Sequence, residues 1–229
     1  MAEGIALCSL EVGRNLLAIG SNDGLICVYE LLGGKQVACL RGHKASICKL
    51  SLVNLGTKKY LASGSDHGCS SIILWDTSNW SIRMRIESHR AAVTSILDLQ
   101  DNRSLISGSY DKTINVYNLN NEGRVLFNLP VNKSSVTALL LNANGSKLVS
   151  CGLDDSLSVW QVVRGSGRAV ETLFLERIIQ NNTMICSLTA SVLQPDVILL
   201  GAKDGKIKLI NIDRGEAYKT IQCCSPAVI

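Results

Sequence analysis

Short apolar runs alternate with Gly, Ser, Asp and Asn clusters along the chain, and one arrangement of run, cluster and run is written five times. It reads LLAIGSNDGLICVYEL (Leu16 to Leu31), YLASGSDHGCSSIILWDT (Tyr60 to Thr77), SLISGSYDKTINVYNL (Ser104 to Leu119), KLVSCGLDDSLSVWQV (Lys147 to Val162) and VILLGAKDGKIKLINI (Val197 to Ile212). Gly20, Gly64 and Gly108 stand 44 positions apart. Self-similarity at about 40–45 residues marks an array of supersecondary units stacked on one continuous core.

Within a unit, segments rich in Val, Ile, Leu and Thr are separated by turn clusters at roughly ten-residue spacing, the rhythm of antiparallel strands joined by tight turns. The third unit is the clearest. It predicts strands over Ala92 to Asp98, Ser104 to Ser107, Thr113 to Asn118 and Arg124 to Leu129, with a turn over Gly108 to Lys112. Four strands with short links make a meander. A segment of helical length and 3.6-residue period is absent from the sequence, which excludes an α/β fold with parallel strands.

These residues resemble the WD-repeat β-propeller family. The resemblance rests on Gly42-His43 and Ser88-His89 ahead of a first strand, on Ser-Gly-Ser at Ser63 to Ser65 and Ser107 to Ser109, and on Trp75-Asp76 closing a third strand. It implies an all-β propeller of four-stranded antiparallel blades, with five blades in this chain. The expected blades are 4–40, 44–87, 90–129, 133–176 and 183–222 of a single domain over 1–229, with 223–229 as a tail. It also implies a polar network in each blade: a loop His, a second-strand hydroxyl, a turn Asp and a third-strand Trp. Carried over by position, the third unit offers His89, Ser107, Asp111 and Tyr117. The second offers His43, Ser63 and Trp75, with Asp66 as candidate fourth member and two extra residues before Trp75. In the fourth, Asn132 stands at the His position, followed by Ser150, Asp154 and Trp160. The first keeps Asp23 and Tyr29 but has Ile19 at the hydroxyl position; the fifth keeps Asp204 but has Leu200 and Ile210. Buried polar groups call for a complete network, since an orphan costs about 1–3 kcal/mol.

His, Ser and Asp are also the types that build nucleophilic triads. Here the trio recurs in successive repeats at strand and turn positions, whereas an active site is built once. A nucleophile elbow, H-E-x-x-H or phosphate-cradling glycine loop is absent from the sequence, so an enzyme is the third-ranked reading and no catalytic, cofactor or metal residue is assigned.

Composition adds limits. A net charge of +4 does not by itself argue for nucleic acid, and no apolar stretch reaches the length of a bilayer span. The first residues, MAEGIALCSLEVG, lack a basic segment followed by a long apolar one, so an intracellular, cytoplasmic location is expected, with the nucleus open. Nine cysteines without a C-x-x-C pair are expected to be reduced and structural, Cys223 and Cys224 being the pair to test for other chemistry. Sequons begin at Asn79, Asn102, Asn132, Asn144 and Asn181, and are read as chance.

Family members commonly close a ring of seven blades. The five units read here leave three outcomes open: a truncated or splice-form product, a ring completed by another chain, or closure with five. The expected function is a non-catalytic scaffold that binds partner proteins or peptides, acidic ones included, through the loop-bearing face. A candidate rim is formed by Lys44, Arg90 and Lys133, one place after each His-type position, with Tyr110 and Lys203 one place before a turn Asp. The alternative is a subunit of an RNA-processing or chromatin complex that touches nucleic acid through this basic rim; with 4% aromatic residues, few side chains could stack on bases. No membrane partner is expected.

Overall fold

The computed structural model describes residues 5–13, 15–68, 70–131, 134–166 and 169–223. Twenty strands form five separate four-stranded sheets, each an antiparallel meander in chain order. The first sheet holds β1 (Ala6–Val12), β2 (Leu16–Ser21), β3 (Leu25–Glu30) and β4 (Gln36–Arg41). The second holds β5 (Ile47–Leu55), β6 (Lys58–Ser65), β7 (Ser71–Asp76) and β8 (Ile82–Glu87). The third holds β9 (Val93–Asp98), β10 (Ser104–Ser109), β11 (Thr113–Asn118) and β12 (Arg124–Pro130). The fourth holds β13 (Val136–Leu141), β14 (Lys147–Gly152), β15 (Ser156–Arg164) and β16 (Val170–Gln180). The fifth holds β17 (Ile185–Ala190), β18 (Val197–Ala202), β19 (Lys206–Asn211) and β20 (Glu216–Gln222). No α-helix occurs among the described residues. The all-β blade architecture expected from the repeats is the one observed, except that β10 runs on through Gly108 to Ser109.

The chain divides into two compact units, Met1–Pro130 with three sheets and Val131–Ile229 with two. In the first unit the sheets pack face to face, and period-2 alternation sends neighbouring side chains into different cores. On β6 and β7, Leu61, Ile73 and Trp75 point into a cluster with Ile26, Val28 and Ile47 of the first two sheets. Their neighbours Ala62, Ile72 and Leu74 point the other way, against Val93, Ile96 and Leu105. A strand covered on both faces is apolar at successive positions, which is why β7 reads Ile-Ile-Leu-Trp while β8, with one face in solvent, alternates. Asp98 ties the second and third sheets by accepting from the backbone N–H and the side-chain amide of Asn54, at 2.9 and 2.6 Å.

The second unit is built the same way, with Val149, Leu157 and Val159 of the fourth sheet against Ile198, Leu200 and Ile210 of the fifth. Lys147 pairs with Glu176 at 2.9 Å and with Asp213, bridging the two sheets of this unit.

In the first, third, fourth and fifth sheets the turn between the second and third strands follows one rule. Asp111, Asp154 and Asp204 accept the backbone N–H two residues on, from Thr113, Ser156 and Lys206, and Asp23 does so from Leu25. This is the Asx-turn geometry that makes Asp a turn former. The residue after each Asp is left-handed: Gly24, Lys112, Asp155 and Gly205 have φ of 82°, 71°, 61° and 76°. Glycine accepts that backbone freely; Lys112 and Asp155 occupy it at a steric cost that the tight turn imposes.

Candidate functional site

The third sheet assembles the fullest polar cluster. His89 Nε2 lies 2.6 Å from Ser107 Oγ, and His89 Nδ1 lies 2.9 Å from an Asp111 carboxylate oxygen. Ser107 Oγ is also 3.0 Å from the Tyr117 hydroxyl, which is 2.7 Å from Ser88 Oγ. One proton order satisfies all of these atoms: Tyr117 donates to Ser107, Ser107 to Nε2, and Nδ1–H to Asp111. Asp111 further accepts from the Arg90 backbone N–H at 2.9 Å and the Thr113 hydroxyl at 2.6 Å. Burial lowers the His89 pKa, with Asp111 opposing, so the ring is neutral over most of the physiological range. Asp111 is held below the usual carboxylate range: burial pushes it up, but the bonds from Thr113, Arg90 and His89 outweigh that.

The second sheet repeats the arrangement with a different fourth member. His43 Nε2 lies 2.6 Å from Ser63 Oγ, which also accepts the Trp75 indole N–H at 2.9 Å. Its Nδ1 faces the Ser71 hydroxyl at 3.3 Å. The carboxylate of Asp66 instead accepts the His67 backbone N–H at 2.6 Å, because the longer turn carries it away from the ring. Burial, helped by the nearby Arg85 charge, drops the His43 pKa to about 4.

In the fourth sheet Trp160 donates to Ser150 Oγ at 2.9 Å, and Asp154 accepts the Ser156 hydroxyl at 2.8 Å. Asn132 and Lys133 lie outside the described residues. Asp23 in the first sheet bonds Ser21 at an exposed turn, and Asp204 in the fifth, half-buried, pairs with Lys206 at 3.1 Å. The structure therefore brings the assigned residues together in the second and third sheets, partly in the fourth, and only as turn carboxylates in the first and fifth.

Three partners escaped the sequence reading: Thr113, Asn115 and Ser71. Thr113 Oγ1 is 3.2 Å from His89 Nδ1, and the buried Asn115 amide lies 3.4 Å from the same ring. A hydroxyl residue two places after the turn Asp, as at Thr113 and Ser156, was the available signal.

Of the rim residues, Lys44 and Arg90 are exposed and line one open pocket of about 480 Å³ together with Gly68, Ser70, Glu87 and His89. Tyr110 is exposed beside Asp111, and Lys203 is exposed in the second unit. Cys27 and Cys39 face each other as cross-strand partners on β3 and β4, a juxtaposition the sequence reading did not reach; Cys223 is exposed and Cys224 lies outside the described residues. Burial raises the Cys48 and Cys151 thiols to about 11 and about 12, which keeps them protonated. Among the described residues there is no cluster of His, Cys, Asp or Glu suited to a metal, and no helix is long and apolar enough to cross a membrane.

The sequence model of the WD domain, G-beta repeat family matches residues 34–76, 80–118 and 123–161, together more than half of the chain. The chain belongs to the WD-repeat family. Each matched repeat starts on or just before the last strand of one sheet and ends at the third strand of the next, so the sequence repeat straddles two blades. WD repeats imply a protein-interaction scaffold, and the family is generally non-catalytic.

Among relatives, Protein tipD of Dictyostelium discoideum is 26% identical over 208 residues, covering 91% of this chain and 32% of that protein. Pre-mRNA-processing factor 19 of Bos taurus is 30% identical over 193 residues, covering 82% of this chain and 36% of its own length. The WD-repeat chain thus spans about a third of these two relatives. Among solved structures, the computationally designed Ika8 protein matches with a TM-score of 0.71 at 24% identity, over 94% of this chain and 61% of that one, a likeness of fold.

Proposed function

We propose that this WD-repeat chain is a non-catalytic scaffold that receives an acidic peptide segment of a partner protein at the Lys44–Arg90 pocket. The supporting observation is that two exposed cations from successive repeats line the same open pocket of the first unit. Arg offers a planar fork for carboxylate or phosphate oxygens, and Lys adds a point charge. The carboxylate of Glu87 on the same wall disfavours ligands that place an anion beside it, which gives the pocket a preferred polarity.

The His89–Ser107–Asp111 cluster has the connectivity of a nucleophilic triad, and its role in this proposal is to brace the blade. Ser107 sits inside β10 with 0% exposure and has its hydroxyl already shared with Tyr117, so a carbonyl carbon has no approach to it. The second sheet repeats the His–Ser contact without the carboxylate, as a structural brace can and a triad cannot.

Replacing both cations (Lys44→Glu with Arg90→Glu) is expected to weaken binding of a fluorescent Glu-rich peptide by about tenfold or more, equivalent to about 1.4 kcal/mol, with the melting temperature unchanged. Anisotropy at two salt concentrations measures it. Equal affinity of the double variant contradicts the proposal, as does binding to single-stranded RNA in preference to the peptide.

A further inference from the structure

The fourth sheet holds a cavity of about 400 Å³ whose polar lining is Ser134, Ser150, Asp154, Ser156, Ser158 and Gln180 and whose apolar lining includes Val131 and Ile178. Its floor reproduces the wall against which an imidazole rests in the second and third sheets. Ser150 Oγ receives the Trp160 indole N–H at 2.9 Å, as Ser63 receives that of Trp75 at 2.9 Å. Ser63 and Ser107 each also meet a histidine Nε2 at 2.6 Å. Ser150 makes no such contact: its hydroxyl has no second hydrogen-bond partner among the described residues, although the residue is 1% exposed. Ser158, its cross-strand partner, is 4% exposed, and its hydroxyl has no partner among the described residues. In the third sheet the equivalent pair is Ser107 with Asn115, whose longer amide reaches the His89 ring. The fourth sheet thus has a shorter side chain at that place and a carboxylate, Asp154, at the turn position of Asp111.

We propose that this cavity is a receptor slot for an imidazole side chain, a histidine of a bound peptide that accepts from Ser150 on one ring nitrogen, beside Ser158, and faces Asp154 with the other. A neutral imidazole has one donor and one acceptor on opposite sides of a flat ring. That matches a hydroxyl wall on one side and a carboxylate on the other, and Ser150, whose hydroxyl proton meets no acceptor among the described residues, gains most from such a ligand. A lysine ammonium, with donors only, would satisfy Asp154 and leave the serine protons without an acceptor. The slot rests on the peptide-binding reading only for the source of the histidine.

The full-length chain, labelled for ¹H–¹⁵N NMR, is titrated with imidazole and, separately, with the peptides Gly-His-Gly and Gly-Lys-Gly. Imidazole and Gly-His-Gly are expected to shift the Trp160 indole N–H saturably while the Trp75 indole stays fixed, and Gly-Lys-Gly to shift neither. Ser150→Ala is expected to weaken binding about fivefold, the share of one hydrogen bond. A static Trp160, a shift shared equally with Trp75, or undiminished binding by Ser150→Ala overturns the slot. Binding of imidazole without Gly-His-Gly overturns the peptide source. The Lys44→Glu/Arg90→Glu variant is expected to leave the Trp160 response intact, so failure of the rim and failure of the slot are distinguishable.

Discussion

Trp75→Ala is expected to lower the unfolding free energy by about 3–5 kcal/mol, the range for deleting a buried large aromatic. Trp75 is 2% exposed and sits in the cluster between the first and second sheets with Leu61 and Ile73. Gly42 lies against it so closely that a Cβ there would come within 2.8 Å of the indole Cη2, which leaves little slack for collapse into the void. The substitution also strips Ser63 of its indole N–H donor. Trp75→Phe keeps most of the packing and loses the hydrogen bond, so its cost is expected to be smaller, about 1–2 kcal/mol. Urea unfolding followed by circular dichroism measures both. A cost below about 1 kcal/mol for the alanine variant would place Trp75 outside the core that holds the two sheets together.

Acid is expected to destabilise the first unit well before its carboxylates protonate. In the folded chain His43 has a pKa of about 4, against about 6.5 when unfolded. The unfolded chain therefore takes up the proton first. The contribution is complete above pH 6.5 and declines as the pH falls toward 4, by an amount on the order of 3 kcal/mol. His89, also lowered by burial, pulls the same way, and Asp111, lowered by its hydrogen bonds, adds a further loss below its ordinary value of 3.8. Unfolding midpoints measured from pH 7.5 to 4 are expected to stay level down to about pH 6.5 and then to fall for the native sequence, and to fall less steeply in His43→Gln, where only His89 remains. A stability that is level from pH 6.5 down to 4.5 contradicts a buried neutral His43.

Most of the fold is legible in the sequence because sheet strands report their surroundings through period. The central strands β7 and β10 are apolar or small at successive positions, which marks strands covered on both faces, whereas β8 alternates. The turn carboxylates were legible for a local reason: Asp followed by a left-handed residue is a short-range signal carried within four positions, as at Asp23-Gly24 and Asp204-Gly205. The end of β10 was less so, because Gly108 and Ser109 look like turn residues and are held in the strand by pairing with Ser95 and Val93. The site was partly legible. His89 lies within hydrogen-bond reach of both Ser107 and Asp111, but Asp66 turns to its own neighbour, since two extra residues alter where the chain points. Contacts such as Asn54 with Asp98, or Cys27 with Cys39, depend on which strands lie side by side, information that no local window holds.

Buried imidazoles hold turns and strands together in the second and third sheets, and the coupling energy between His89 and Asp111 tests this most directly. Unfolding free energies of the native chain, His89→Leu, Asp111→Ala and the double variant form a cycle that isolates the pair. With their atoms 2.9 Å apart and both side chains largely buried, a coupling of about 1–3 kcal/mol is expected. Additive losses, with coupling under about 0.3 kcal/mol, would contradict it.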